Sequence, residues 1–87
     1  MERVTQLINA NGRAVANQFV ITDNGKQIFQ SYKTRIAEVD GTKITLDTNA
    51  MGYSNTTSKY LYQLLGMNRK ELEKGIKNNE ILVKDLN

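Results

Sequence analysis

The stretch from Gly52 to Gly66 constrains the fold of this 87-residue chain most, because it carries both ends of a helix. Ser54 or Asn55 can accept hydrogen bonds from the free amides of a first turn, and Gly66 can adopt the left-handed conformation that follows a last turn. Between these caps lies an apolar stripe at helical spacing, made of Tyr60, Leu61, Leu64 and Leu65. The stretch therefore predicts a capped amphipathic helix with one face in the core.

A second helix with its own caps follows. Asn68 can cap its first turn, and Glu71 stands three residues later, where it completes a capping box. Leu72 is the first position of this helix that is expected to be buried, and the pair 78–79 (Asn-Asn) ends the helix. Residues 80–84 then predict a short edge strand.

The segments before the helices are typical of β-structure. Residues 15–22, 27–39 and 42–48 predict three strands of an antiparallel meander. Residues 23–26 (Asp-Asn-Gly-Lys) supply the first turn and the Asp40-Gly41 pair the second.

The Asp40-Gly41 turn predicts a register for the last two strands. Glu38 would lie opposite Lys43, which places opposite charges directly across the ladder. The same register places Ala37 opposite Ile44 and Arg35 opposite Leu46. One face, expected to be the core face, then carries Phe29, Ala37, Val39, Ile44 and Leu46, and the other carries Tyr32, Thr34 and Ile36.

The first segment, residues 2–10, predicts a short helix, because Val4, Leu7 and Ile8 have helical spacing and Asn11-Gly12 can end it. A strand remains the alternative. The fold class predicted for residues 1–87 is a single α+β domain. It consists of a small antiparallel meander of three strands, with a short fourth possible, and two C-terminal helices packed on one face.

The sequence contains no histidine, cysteine or proline, and this excludes several classes of function. Without histidine and cysteine there is no Ser-His or Cys-His nucleophile, no disulfide and no thiolate metal site. Asp40 and Asp47 lie near opposite ends of one predicted strand, too far apart to act as a glycosidase pair. We therefore expect a non-enzymatic protein with no cofactor and no metal.

Charge and hydropathy restrict the partners. The balance of 12 basic and 9 acidic residues, a net charge of +3, is compatible with nucleic acid or an anionic ligand but demands neither. No apolar run approaches the roughly 18 residues of a membrane-spanning helix. Residues 1–6 lack the basic-then-apolar order of a signal peptide. We expect a soluble, cytoplasmic protein with no membrane partner.

Polar side chains crowd the start of the first capped helix. Helix N-termini present free amides and a partial positive charge, so they bind phosphates and other anions. Simple capping with the spare hydroxyls in solvent is the alternative, but capping needs only one of these residues. The candidate residues for binding a ligand or partner here are Ser54, Asn55, Thr56, Thr57 and Lys59.

Two groups of basic residues are further candidates. Lys33 and Arg35 alternate with Tyr32 and Thr34, and a sheet that presents basic and aromatic groups can stack bases and track phosphates. The same alternation places both cations on the face assigned to the core, a conflict that indicates a twist, a bulge or another register. The densest basic patch lies on the second helix, where a solvated face is the alternative to nucleic-acid binding: Arg69, Lys70, Lys74 and Lys77.

Two stretches carry a resemblance to a known family. Residues 29–37 have the pattern F-x-S-Y-x-x-x-I-A, and residues 53–61 have the pattern Y-S-x-T-T-x-K-Y-L. Together with residues 16–20 they resemble a family of small uncharacterised proteins carried by bacteriophages and other mobile elements. The resemblance covers about residues 8 to 65 and includes nothing past Gly66. It implies an accessory protein that acts by binding, and it brings no known site residues.

The leading hypothesis is a phage-type binding protein that antagonises a bacterial host factor, such as a defence protein. It would occupy a protein surface or sequester an anionic or nucleotide ligand, in the host cytoplasm. The alternative is a small DNA- or RNA-binding accessory protein that uses Lys33, Arg35, Lys59 and the basic helix. A structural phage component is a third possibility, and an open sheet edge would permit a homodimer in each case.

Overall fold

A computed structural model of the chain describes residues 2–52 and 55–87. The described residues form six strands, two α-helices and a short 3-10 turn at Ala50–Gly52. The strands are β1 (Arg3–Ile8), β2 (Ala14–Asp23), β3 (Lys26–Ser31), β4 (Thr34–Asp40), β5 (Lys43–Asp47) and β6 (Ile81–Lys84). The helices are α1 (Asn55–Leu65) and α2 (Arg69–Lys77).

All six strands belong to one sheet, in the order β1-β2-β3-β4-β5-β6. The first five pair antiparallel with their neighbours in the chain, whereas β6 pairs parallel with β5 after the two helices. The α+β class is confirmed, and the sheet is larger and more mixed than the three or four antiparallel strands predicted.

The core lies between one face of the sheet, here called the helix face, and the two helices. Phe29, Ala37 and Leu46 lie side by side on β3, β4 and β5, since each is the register partner of the next. They are fully buried together with Leu61 of α1 and Leu72 of α2. The predicted core face is thus confirmed at its centre, and burial of each large side chain there contributes about 1.5–3 kcal/mol.

The first segment is a strand, so the predicted helix over residues 2–10 is wrong. Leu7 is buried in the core, while Val4 and Ile8 are exposed. Strand alternation places residues 4 and 8 on one face and residue 7 on the other. Helical spacing in so short a segment did not distinguish the two structures. Gly12, with φ of 77°, lies in the turn to β2.

The long strand predicted over residues 27–39 is interrupted by a turn at Tyr32 and Lys33, which separates β3 from β4. Beyond this turn the ladder contains a β-bulge: Phe29 pairs with Ala37 and Gln30 with Arg35, so Ile36 has no partner. The extra residue redirects Ile36 into the core, where it is fully buried. Its predicted position on the opposite face is therefore wrong.

The predicted register of the β4–β5 hairpin is also wrong, by two residues. Asp40 pairs with Lys43, and the two-residue loop is Gly41-Thr42. Because side chains alternate with a period of two, this displacement by itself moves no side chain to the other face. On β5, Leu46 does not lie opposite Arg35, whose register partner on the other neighbour, β3, is Gln30.

The capping residues in the sequence correctly predicted the positions of both helices. Gly66 has φ of 66° and its amide donates to the carbonyl of Tyr62 at 2.9 Å, which ends α1. At α2, Glu71 N donates to Asn68 Oδ1 at 2.8 Å and Asn68 N donates to Glu71 Oε1 at 3.1 Å, so the predicted capping box is confirmed. The strand predicted over residues 80–84 is confirmed as β6.

Helix α2 packs on β6 at a glycine. A Cβ atom built on Gly75 would lie 2.6 Å from Cδ1 and 2.9 Å from Cγ1 of Ile81. Ile81 is itself buried and belongs to the core. The missing side chain therefore sets how closely α2 approaches β6.

We expect Gly75→Ala to destabilise the protein by about 1–2 kcal/mol, because overpacking against Ile81 outweighs the gain in helix propensity. Urea unfolding measures the change. Gly52→Ala is the matched control, since no atom of the described residues, apart from its chain neighbours, lies within 4 Å of its added Cβ. Equal effects of the two substitutions would contradict the close approach of α2 and β6.

Candidate binding surface

The turn between β3 and β4 presents an exposed tyrosine in an unusual backbone conformation. Tyr32 has φ of 55°, in the left-handed region that bulky residues rarely occupy, and 63% of its surface is exposed. Its amide donates to the carbonyl of Asn17 at 2.6 Å, and its carbonyl accepts from Nε2 of Gln30 at 2.9 Å. Backbone hydrogen bonds thus hold the turn while the side chain remains in solvent.

One hydrogen bond connects this turn to the start of α1. Ser31, the last residue of β3, and Thr57 are both buried, and their hydroxyl oxygens lie 3.2 Å apart. Thr57 was predicted to bind a ligand, but its hydroxyl is engaged inside the protein. The bond places the first turn of α1 against Ser31, the residue that precedes Tyr32 in the chain.

The remaining predicted residues of the α1 start divide into two groups. Asn55, Thr56 and Lys59 are exposed and available to a partner. Lys59 Nζ lies 5.6 Å from the ring centroid of Tyr60, a cation–π distance that leaves the ammonium group in solvent. Ser54 lies outside the described residues.

The two basic residues that the sequence placed on one strand are separated in the structure. Lys33 is in the turn, whereas Arg35 follows it in β4. Both are exposed, which resolves the conflict with the core face. The structure thus brings Lys33 and the exposed residues of the α1 start to one end of β3, with Arg35 close by along the chain. We call Tyr32, Lys33, Asn55, Thr56 and Lys59 the turn surface.

The C-terminal residues hold β4 next to this turn. The side chain of Asn87 accepts from Arg35 N at 2.8 Å and donates to Arg35 O at 3.1 Å, so it acts as a substitute for a strand partner. The buried carboxylate of Asp47 accepts hydrogen bonds from Asn87 Nδ2 at 3.1 Å and Leu86 N at 3.0 Å. These bonds fix the backbone beneath the turn surface.

A buried amide lies beside the same connection. Gln18 of β2 is the register partner of Ser31 and is only 2% exposed. Within the described part of the chain, its Oε1 has no hydrogen-bond partner. Such an atom costs about 1–3 kcal/mol. The polar row Gln18, Ser31 and Thr57 therefore makes the base of the turn surface less stable than an apolar core would be.

The basic residues of α2 form a separate surface. Arg69 Nε donates to Glu73 Oε1 at 2.9 Å, and this hydrogen bond, together with the attraction of the two charges, raises the pKa of Arg69 above its usual value. Lys70, Lys74 and Lys77 are exposed and lie four and three residues apart, on the side of the helix away from Leu72. They form a stripe of three cations, here called the lysine stripe.

Next to the lysine stripe, a groove of about 430 Å³ separates α2 from the β4–β5 turn. Its apolar lining comes from Ile44, Met67 and Ile81, and Glu71 and Glu80 line it as well. The register of β4 places this groove at the opposite end of the strand from Tyr32. Sequence reasoning missed it because its lining comes from four separate segments.

The described residues contain no group of three or more acidic side chains that could hold a metal ion. Within the same residues, no helix is long and apolar enough to cross a membrane. The turn surface itself offers hydrogen-bonding groups, positive charge and the aromatic ring of Tyr32.

The model of a family of unknown function, DUF8033, matches residues 3–81. The chain belongs to this family. The match runs from β1 into β6, so membership in DUF8033 includes α2, which took no part in the resemblance seen in the sequence. No curated protein and no solved structure matches the chain.

We expect Thr57→Val to destabilise the protein by about 1 kcal/mol or more, because it leaves the buried hydroxyl of Ser31 without this partner. Thr56→Val, the neighbouring exposed threonine, should change stability by less than about 0.5 kcal/mol. Thermal and urea unfolding compare the two variants. A neutral Thr57→Val would show that this hydroxyl does not hold α1 on the sheet.

Proposed function

We propose that this protein is a non-enzymatic inhibitor that occupies the surface of a bacterial host protein through the turn surface. In this proposal it is carried by a bacteriophage or another mobile element and acts on a defence protein in the host cytoplasm. The absence of histidine and cysteine from the sequence supports a role without catalysis. The observation that carries the proposal is the exposed Tyr32 in its left-handed conformation.

Strain in the backbone is the first argument. A left-handed conformation costs an ordinary residue about 1–2 kcal/mol, and glycine would occupy the same position without that cost. Unfavourable conformations of this kind persist most often at functional sites. A tyrosine kept at such a position, with most of its ring in solvent, contributes little to the fold and is available for contact.

The chemistry of the side chain is the second argument. Tyrosine is enriched among the few residues that dominate binding energy at protein interfaces, and its ring loses little conformational freedom on binding. The backbone hydrogen bonds of Tyr32 to Asn17 and Gln30 fix the direction in which the ring leaves the turn. A preorganised aromatic anchor needs less ordering when a partner binds.

Charge indicates the kind of partner. Lys33 follows the anchor directly in the chain, Lys59 is exposed in the first half of α1, and the whole chain has a net charge of +3. Cations around an anchor accelerate association with an acidic surface and orient the encounter. We therefore propose a partner with an acidic patch around a pocket that accepts the tyrosine ring.

A macromolecular partner fits the turn surface better than a small anionic ligand does. Small-molecule sites are concave and enclose most of their ligand. Tyr32 and Lys33 instead project from a turn. The hydroxyl of Thr57, which was predicted to bind an anion, is already engaged in a hydrogen bond inside the protein. We therefore propose that the protein acts by occupying a protein surface and not by sequestering an anionic or nucleotide ligand.

The experiment that tests the proposal separates stability from binding. Tyr32→Gly should leave the free energy of unfolding unchanged or raise it by about 0.5 kcal/mol, because glycine removes the backbone strain but makes the unfolded chain more flexible. The same variant should lose capture of the host protein from a bacterial lysate. It should also no longer restore phage plating on a host that carries the defence system.

Asn24→Gly is the matched control for this experiment. Asn24 is exposed, has φ of 50° and lies in the β2–β3 turn, at the other end of β3. This variant should keep both capture and the effect on plating. If Tyr32→Gly captures the same protein as the parent chain, the turn surface is not the binding site.

Nucleic-acid binding is the second candidate function, and the lysine stripe favours it. Lys70, Lys74 and Lys77 make no ion pair within the part of the chain that the structure describes. If the stripe binds phosphates, affinity for a double-stranded DNA fragment should fall steeply as salt rises, with a slope set by about three contacts. Reversing the three charges to glutamate should abolish retention on a filter.

The matched control for that measurement reverses three exposed cations outside α2: Arg3 in β1, Arg13 in the β1–β2 connection and Lys43 in β5. It changes the net charge by the same amount and should keep most of the affinity. Absence of retention for the parent chain even at low salt would exclude this second function.

A further inference from the structure

Strand β6 leaves an open edge on the sheet. It is the last strand in the sheet order and pairs only with β5, so no described strand occupies its other side. Leu82 and Val83 at this edge are 54% and 45% exposed. Unpaired backbone groups beside exposed apolar side chains form a template for another strand.

The other edge of the sheet, β1, is less suited to pairing. The carbonyl of Ile8 already accepts a hydrogen bond from Nε2 of Gln63 at 2.7 Å. The ladder between β1 and β2 is also irregular between Gln6 and Ile8. Bulges and side chains that cover backbone groups are common protections of an edge strand. The two edges therefore differ, and β6 is the open one.

We propose that β6 pairs antiparallel with β6 of a second copy of this chain, with Leu82 opposite the partner's Leu82. In this register Glu80 lies opposite the partner's Lys84, and the two-fold symmetry repeats that ion pair on the other side. Val83 lies opposite the partner's Ile81. Two ion pairs and a central apolar contact thus come from one five-residue segment.

The charge pattern selects this register among its neighbours. If the register were shifted so that Leu82 faced the partner's Val83, Glu80 would face the partner's Asp85, and these like charges would repel each other. If Val83 faced the partner's Val83 instead, Lys84 would face the partner's Leu82 and no ion pair would form. Of these three registers, the one centred on Leu82 places Glu80 and Lys84 opposite each other, because the two residues are equally distant from Leu82.

The dimer would be a weak one with a defined shape. Two sheets would join into one, and both pairs of helices would lie on the same side, since the register keeps equivalent residues on equivalent faces. The contact uses one short strand from each copy, which is less than a standard interface buries. The dimer should therefore form and dissociate within the range of concentrations used in sedimentation experiments.

Single-cysteine variants test the pairing directly, because the sequence has no cysteine of its own. In the Leu82→Cys variant, the two cysteines would face each other across the two-fold axis. Facing residues of an antiparallel pair have Cα atoms about 4.5–5.5 Å apart, which is within the range of a disulfide. Mild oxidation should convert most of this variant to a covalent dimer. Val4→Cys, at an equally exposed apolar position on the β1 edge, should remain largely monomeric.

Charge exchange tests the register. Glu80→Lys and Lys84→Glu, each made alone, should weaken the dimer about tenfold in sedimentation equilibrium, because two attractive pairs become repulsive. The double variant E80K/K84E restores both pairs with their signs exchanged and should return to the affinity of the parent chain. Circular dichroism checks that all variants keep the fold.

Three results would overturn the proposal. One is oxidation of Leu82→Cys no faster than that of Val4→Cys. Another is a double variant that dimerises as poorly as the single ones. The third is a parent chain that remains monomeric at the highest concentration studied.

Discussion

The structure depends on covering the row of Phe29, Ala37 and Leu46 across the centre of the sheet. These side chains are fully buried, and their burial is the main favourable contribution to folding. Helices of 11 and 9 residues are too short to be stable alone in water. They form because Leu61 and Leu72 complete the core over that row, and the row leaves water only because the helices cover it.

The same constraint explains which parts of the fold could be predicted from the sequence. Capping residues act within one turn, so the end of α1 was predicted from Gly66, the start of α2 from the Asn68–Glu71 box and the end of α2 from residues 78–79. The faces of the later strands followed from alternation, and the error of two residues in the hairpin register did not alter them. These features are determined by neighbours in the chain.

The features that were missed are determined by distant residues. Tyr32 and Lys33 do not form a typical turn pair, and the left-handed conformation of Tyr32 is held by a carbonyl 15 positions away, at Asn17. The bulge at Ile36 and the burial of Thr57 likewise depend on packing between strand and helix. Of the candidate binding residues, Lys33, Asn55, Thr56 and Lys59 are exposed. The Ser31–Thr57 contact that joins the end of β3 to the start of α1 could not be derived from spacing.

The molecule separates its possible contacts into different places. The turn surface lies at one end of β3 and β4, the groove at the other end, the lysine stripe on the outer side of α2, and the open edge at β6. The turn surface, the lysine stripe and the open edge use exposed residues that the core does not need, whereas the groove is lined in part by the core residue Ile81. Loss of any one of the first three contacts should therefore leave the others and the fold intact.

The parallel pairing of β6 with β5 has a consequence for how the chain folds. The five-stranded meander consists of hairpins between neighbours, and such local contacts form quickly. Strand β6 must wait for two helices to be placed before it can join the sheet. During synthesis on the ribosome, the meander therefore emerges with its apolar face still bare, and it stays vulnerable to aggregation until the last third of the chain has been made.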